Sequence, residues 1–109
     1  MEIKNIKIYK TKVGKEPYRE WLLKLDNSQK AIVQARLKRV ERGNYGYYQI
    51  LSGGINELKF DNGLRIYFAE TDKVIILLLT AGGKKRQSND ISKAQEFYND
   101  YIDRSNEND

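Results

Sequence analysis

Glu57-Leu58-Lys59-Phe60-Asp61-Asn62-Gly63-Leu64-Arg65-Ile66-Tyr67-Phe68 is the stretch on which the fold turns. Leu58 and Phe60 alternate with Glu57 and Lys59, and Leu64, Ile66 and Phe68 alternate with Arg65 and Tyr67. A period of two marks two strands, each with one apolar face. Asp61-Asn62-Gly63 between them reads as a hairpin turn, because Asn-Gly accepts positive φ. Pairing across that turn sets Lys59 and Arg65 side by side, on the face opposite Leu58, Phe60, Leu64 and Ile66.

Downstream, Thr71-Asp72 makes a second turn. Val74 to Leu79 is apolar at every position, as expected of a strand covered on both faces. A loop from Thr80 to Gln87 leads to a last helix, which Ser88 or Asn89 can cap. Ile91, Ala94, Phe97, Tyr98 and Tyr101 recur along it at helical spacing, and Asp90 suits the positive end of its dipole. After Ile102 the chain turns polar and is expected to fray, giving one domain over residues 1–102 and a tail over 103–109.

Upstream, Ile6 and Ile8 alternate with Lys7 and Tyr9, which predicts a first strand over about residues 2–9. Pro17 suits a first helical turn, and Tyr18, Trp21, Leu22 and Leu25 share one helical face. Asp26-Asn27-Ser28 stops that helix and starts another, over about Ser28 to Arg42. Its expected buried stripe is Ile32, Val33, Leu37 and Val40, with Gly43 as C-cap. Asn44 to Gly54, rich in Tyr and Gly, reads as a loop. The order is β-α-α-β-β-β-α, an α+β fold in which a helical hairpin packs on a largely antiparallel sheet.

The chain has 109 residues, room for one core. It has no cysteine and no histidine, which removes disulfides, thiol chemistry and the usual neutral-pH base. No secretory h-region follows Met1-Glu2-Ile3-Lys4, and the longest apolar run is far short of the ~20 residues of a membrane helix. The expected location is the cytoplasm, with no membrane partner. Net charge is +5 from 20 basic and 15 acidic residues. Without residues 103–109 there are 19 basic and 12 acidic residues, or +7. A basic body favours anionic partners, nucleic acid among them.

Candidate site residues follow from that charge. Lys59, Arg65 and Tyr67 share a sheet face, and Lys84, Lys85 and Arg86 leave the end of the apolar strand. Gathered on one concave surface they would suit a phosphodiester backbone. Gly82 and Gly83 let backbone N–H groups approach an anion, and the following helix start favours negative charge. The blander reading pairs Lys59 and Arg65 with Glu57 or Glu70 as solvated strand charges, and makes the glycines an ordinary turn. Tyr45, Tyr47 and Tyr48 can stack on single-stranded bases or close the edge of the core. Glu57-Leu58-Lys59 also has the form of half a metal-dependent nuclease site. The second carboxylate such a site needs is missing upstream, where Glu41 is the only acid between Lys30 and Asn56, so no metal or other cofactor is expected.

The chain resembles the RelE/ParE superfamily of toxins, in its HigB-like branch of phage-derived addiction-module killer proteins. The resemblance rests on Gly43-Asn44-Tyr45-Gly46, Glu57-Leu58-Lys59, Leu64-Arg65-Ile66-Tyr67-Phe68, and Ile76-Leu77-Leu78-Leu79 running into Gly82-Gly83-Lys84, with Gln87, Asp90-Ile91 and Ala94. It implies the toxin of a type II toxin–antitoxin system, a metal-independent, ribosome-dependent mRNA endonuclease. Its partners would be mRNA, the ribosome and a small antitoxin with a helix-turn-helix DNA-binding domain. Lys59, Arg65, Lys84 and Arg86 would be catalytic, with Lys59 or Lys84 as base. Tyr47, Tyr67, Gly82, Gly83, Lys85 and Gln87 would bind RNA. Two alternatives stay open: a ParE-like inhibitor of DNA gyrase without nuclease activity, and an inactivated toxin-like binding domain. The chain departs from the branch in having no His, and no Tyr in Gln87-Ser88-Asn89, where its nucleases often place a catalytic Tyr or His.

Overall fold

The computed structural model describes residues 3–107, so the expected start of the first strand at Glu2 and the last two residues of the expected tail lie outside the described residues. The elements are β1 (Asn5–Ile8), α1 (Pro17–Leu23), α2 (Asn27–Glu41), β2 (Tyr48–Ile50), β3 (Asn56–Lys59), β4 (Arg65–Thr71), β5 (Ile75–Gly82) and α3 (Gln87–Glu107). Short 3₁₀ turns at Ser52–Gly54 and Lys84–Arg86 precede β3 and α3. The strands form one sheet in the order β1-β5-β4-β3-β2. Only β1 pairs in parallel, along β5, and the other pairings are antiparallel. This is the expected α+β arrangement.

The Asn62-Gly63 turn forms as its sequence requires. Gly63 takes φ +92° and donates to the Phe60 carbonyl, Asn62 Oδ1 accepts from the Leu64 amide, and Lys59 comes opposite Arg65. The apolar run of β5 is buried on both sides. Ile76 and Leu78 join Leu58, Ile66 and Phe68 under α1 and α2, with Val33, Leu37 and Val40. Leu77 and Leu79 join Tyr9, Tyr67 and Ala69 under Ala94, Ile91, Phe97 and Tyr98 of α3.

Four sequence expectations shift. Residues 48–50, read as loop, pair with β3 as an edge strand whose three side chains are all exposed; one-sided burial is missing, so the alternation signal is too. Ile32 is 47% exposed, because the buried stripe of α2 runs through Val33, Arg36, Leu37 and Val40 instead. The last helix begins at Gln87, continuous with the 3₁₀ turn at 84–86, rather than at a Ser88 or Asn89 cap. It also runs on through residues 103–107, where Arg104 pairs with Asp100 one turn back and donates to the Lys10 carbonyl.

Arg36 is the polar residue inside that helical stripe. Only 7% exposed, it donates from Nε to the Tyr45 carbonyl (2.8 Å), from Nη1 to Lys59 (2.9 Å) and from Nη2 to Tyr47 (2.6 Å), with its guanidinium 4.8 Å from the Phe60 ring centroid. One side chain thus ties α2 to the entry of β2 and the end of β3. Arg36→Ala would leave three carbonyls without their charged donor. A loss of about 3 kcal/mol or more is expected, read from the urea midpoint.

Candidate functional site

The register β3–β4 sets Glu57 opposite Tyr67 and Lys59 opposite Arg65, all four on the α3 side of the sheet. Glu57 is fully buried. Its Oε2 accepts from the Tyr67 hydroxyl at 2.9 Å and from Gln87 Nε2 at 2.7 Å, and stands 3.9 Å from Arg65 Nε. Oε1 has no hydrogen-bond donor and lies 3.9 Å from Lys59 Nζ. A buried carboxylate is tolerated only when donors and cations surround it. Here they come from β3, β4 and the first residue of α3. Lys59 and Arg65 do stand beside Glu57; Arg65 is itself buried, so the expectation that it lies on an open sheet face fails, whereas Lys59 is half-buried and reaches the surface.

Tyr67 does not face a ligand surface. It is completely buried, and burial, followed by its bond to Glu57, pushes its hydroxyl above the ordinary tyrosine value. The expectation that it lines an open concave face fails because α3 covers that part of the sheet. Gln87 is likewise turned inward on Glu57. Tyr47 is 67% exposed, with Lys59 Nζ 5.3 Å from its ring centroid. Tyr45 instead closes the core edge, packing edge-on against Phe68 and donating to Glu70.

Arg65 donates from Nη1 to the carbonyls of Phe60 (3.4 Å) and Leu64 (3.1 Å). Lys59 and Arg65 border the 61–63 turn, and Lys84 Cγ lies 3.9 Å from where a Cβ on Gly63 would stand, so the basic loop adjoins that turn. Lys84, Lys85 and Arg86 are exposed and form no ion pair among the described residues. Together with Gln87, Ser88 and Asn89 they line an open concavity of about 530 Å³ at the start of α3. A second concavity, of about 380 Å³, is lined by Tyr47, Lys59, Arg36 and Arg39 together with Asp61 and Asn62 of the turn. Glu57, the carboxylate of the Glu-x-Lys pair, points inward onto its donors instead of toward solvent.

The two glycines differ. Gly82 pairs with Arg65, and a Cβ there would come 2.0 Å from Asp90 Oδ2. Gly83 has extended backbone and open space around it, so no contact demands a glycine there. Asp90 is 9% exposed and its Oδ2 has no hydrogen-bond partner. Burial raises its carboxyl above the ordinary value, opposed by the charges of Lys93 and Arg86.

The chain is 40% identical over 78 residues to an uncharacterized protein of Haemophilus influenzae, a match covering 69% of this chain and 79% of that protein. The chain belongs to the family of that protein. No family model matches it.

Glu57 as hub, Gln87 as its donor and Asp90 behind Gly82 are the site features that the sequence reading underweighted. Strand alternation does put Glu57 on the face of Lys59 and Tyr67, and that was the available signal. Asp90 meets Gly82 through tertiary packing alone. Gly82→Ala is therefore expected to cost about 3 kcal/mol by overpacking, and Asp90→Ala in the same chain should recover about 2 kcal/mol as coupling in a double-mutant cycle. Folding favours the protonated form of a carboxyl whose value is raised by burial. The contribution of Asp90 is thus most favourable in acid and is lost as pH rises through its folded value. Asp90→Asn should raise the melting temperature at pH 7 and flatten that pH dependence in thermal scans.

Proposed function

We propose that this protein is a toxin of the RelE/ParE superfamily that cleaves mRNA on the ribosome. The observation that carries the reading is the junction of the 61–63 turn with the 84–86 loop. It brings Lys84 beside the turn that Lys59 and the buried Arg65 border, with Lys85 and Arg86 exposed on the same loop and exposed Tyr47 near Lys59. Unpaired cations at a helix start suit phosphate, and an exposed ring suits an unstacked base. The order of elements and the motifs of the toxin branch support the same reading.

In this reaction the 2′-hydroxyl of the RNA gives its proton to Lys59 or Lys84 and attacks the adjacent phosphorus, the 5′-oxygen leaves with a proton taken from water, and a 2′,3′-cyclic phosphate remains. Arg65 and Arg86 would stabilise the negative charge of the phosphorane, with Lys84 and Lys59 on either side. Tyr67 is sequestered with Glu57 and takes no part in proton transfer. Catalysis then leans on alignment of the 2′-hydroxyl by the ribosome. The protein would act in the cytoplasm, restrained by an antitoxin with a helix-turn-helix domain. No helix among the described residues is long and apolar enough to cross a membrane.

The absence of histidine, with Tyr67 buried, favours one second reading. The same rim would dock on DNA gyrase or its DNA without cleaving anything. Mapping of mRNA 5′ ends after induction separates the two. New ends within coding regions are expected, and Arg86→Ala should reduce them about 100-fold while the fold is retained. Lys84→Ala should likewise relieve growth arrest. Intact mRNA in arrested cells, with gyrase inhibited in vitro, would establish the second reading and remove the first.

A further inference from the structure

On the opposite edge of the sheet, β1 is flanked by α1 and α3. The three elements enclose a groove of about 630 Å³ with β1 as its floor. The Asn5 amide donates to Val74 and the Tyr9 amide to Leu78, so odd-numbered residues of β1 turn toward β5. The N–H and C=O groups of Ile6 and Ile8 therefore point outward, into the groove. Among the described residues nothing outside the sheet bonds the Ile6 and Ile8 amides. The row is closed at its ends: the Lys4 amide donates to the Glu41 carbonyl, and Arg104 donates to the Lys10 carbonyl. What remains open is a short slot with alternating donors and acceptors.

The walls have a definite chemistry. Ile6 and Ile8 pack toward the α1–α2 core, whereas Lys7 lies over Tyr101 of α3, its Nζ 5.2 Å from the ring centroid. Lys10, Arg19 and Arg104 add three cations; Arg19 is paired with Glu16 at 2.9 Å and Arg104 with Asp100 at 2.8 Å, so Lys7 and Lys10 carry the charge that has no acidic partner among the described residues. A strand laid along β1 would set alternate side chains against Ile6 and Ile8 on the α1 side, and against Lys7, Tyr101 and Arg104 on the α3 side.

We infer that the β1 edge is a docking site for an extended segment of a partner protein in which apolar and acidic residues alternate. Charge complementarity selects this occupant over a second copy of the chain, whose own β1 would bring like charges together. The slot also selects it over RNA, because only a polypeptide strand repeats a donor and an acceptor at the spacing of the outward Ile6 and Ile8 groups. The inference stands apart from the toxin reading, since it uses neither the 61–63 turn nor the 84–86 loop.

The test uses the full chain and an eight-residue peptide alternating valine and glutamate, with hydrogen exchange read amide by amide. Binding should slow exchange at Ile6 and Ile8 at least about tenfold. Lys7→Glu with Lys10→Glu should abolish that protection, and a valine–lysine peptide should restore it on the reversed protein. A peptide N-methylated at alternate residues, which cannot pair as a strand, should not protect. Failure of the glutamate peptide to bind, protection that survives charge reversal, or protection at β2 or at residues 84–89 instead would overturn the inference. An oligouridylate that protects Ile6 and Ile8 better than the peptide would overturn it as well.

Discussion

The burial of the Glu57 carboxylate organises this molecule. An anion deprived of water costs several kcal/mol unless donors and opposite charges replace the solvent. Three structural elements supply them. Tyr67 comes from β4, Gln87 from the first residue of α3, and the two cations from β3 and β4. The requirement fixes more than one side chain. It holds the end of the hairpin against the start of α3, and so sets the distance between the turn at 61–63 and the basic loop at 84–86.

A second constraint works with it. Between the Phe68–Leu78 and Tyr67–Thr80 pairs the register of β4 and β5 slips by one residue, with Leu79 as the extra residue. An unbroken ladder would have put Ala81 opposite Arg65. The bulge returns Ala81 to the α1–α2 core and brings Gly82 to the position where the Asp90 carboxylate leaves no space for a Cβ. The close approach of α3 to the strand end, on which the Gln87–Glu57 bond depends, is therefore built from a one-residue insertion and a residue without a side chain.

These features explain what could be read from the chain. The hairpin was legible because alternation and the Asn-Gly turn act locally, and the register of Lys59 on Arg65 followed from them. The two-sided burial of β5 was legible from its unbroken apolar run. The exposed edge strand at 48–50 was not, since a strand without a buried face has no alternation to show. Ile32 was misplaced because Arg36, a residue that composition assigns to solvent, occupies the buried stripe through its bonds to three carbonyls. At the site, the cations were found by charge and spacing. The inward turn of Tyr67 and Gln87 was hidden, because it depends on α3 lying over a face that alternation alone leaves open.

The arrangement also bears on how a polyanion would be received. Lys59 and Arg65 are held near a carboxylate that is out of reach of solvent, whereas Lys84, Lys85 and Arg86 form no ion pair among the described residues. The paired cations are ordered before a ligand arrives, and their ordering entropy has been met in folding rather than in binding. The unpaired ones would supply, in the proposed reading, most of the long-range field and the salt dependence of phosphate contacts. Under the proposed reading the loop would attract a polyanion and the hairpin end would position it. The buried carboxylate tempers the charge of the hairpin end, so the rim can hold several cations within a small area without forcing the strands apart.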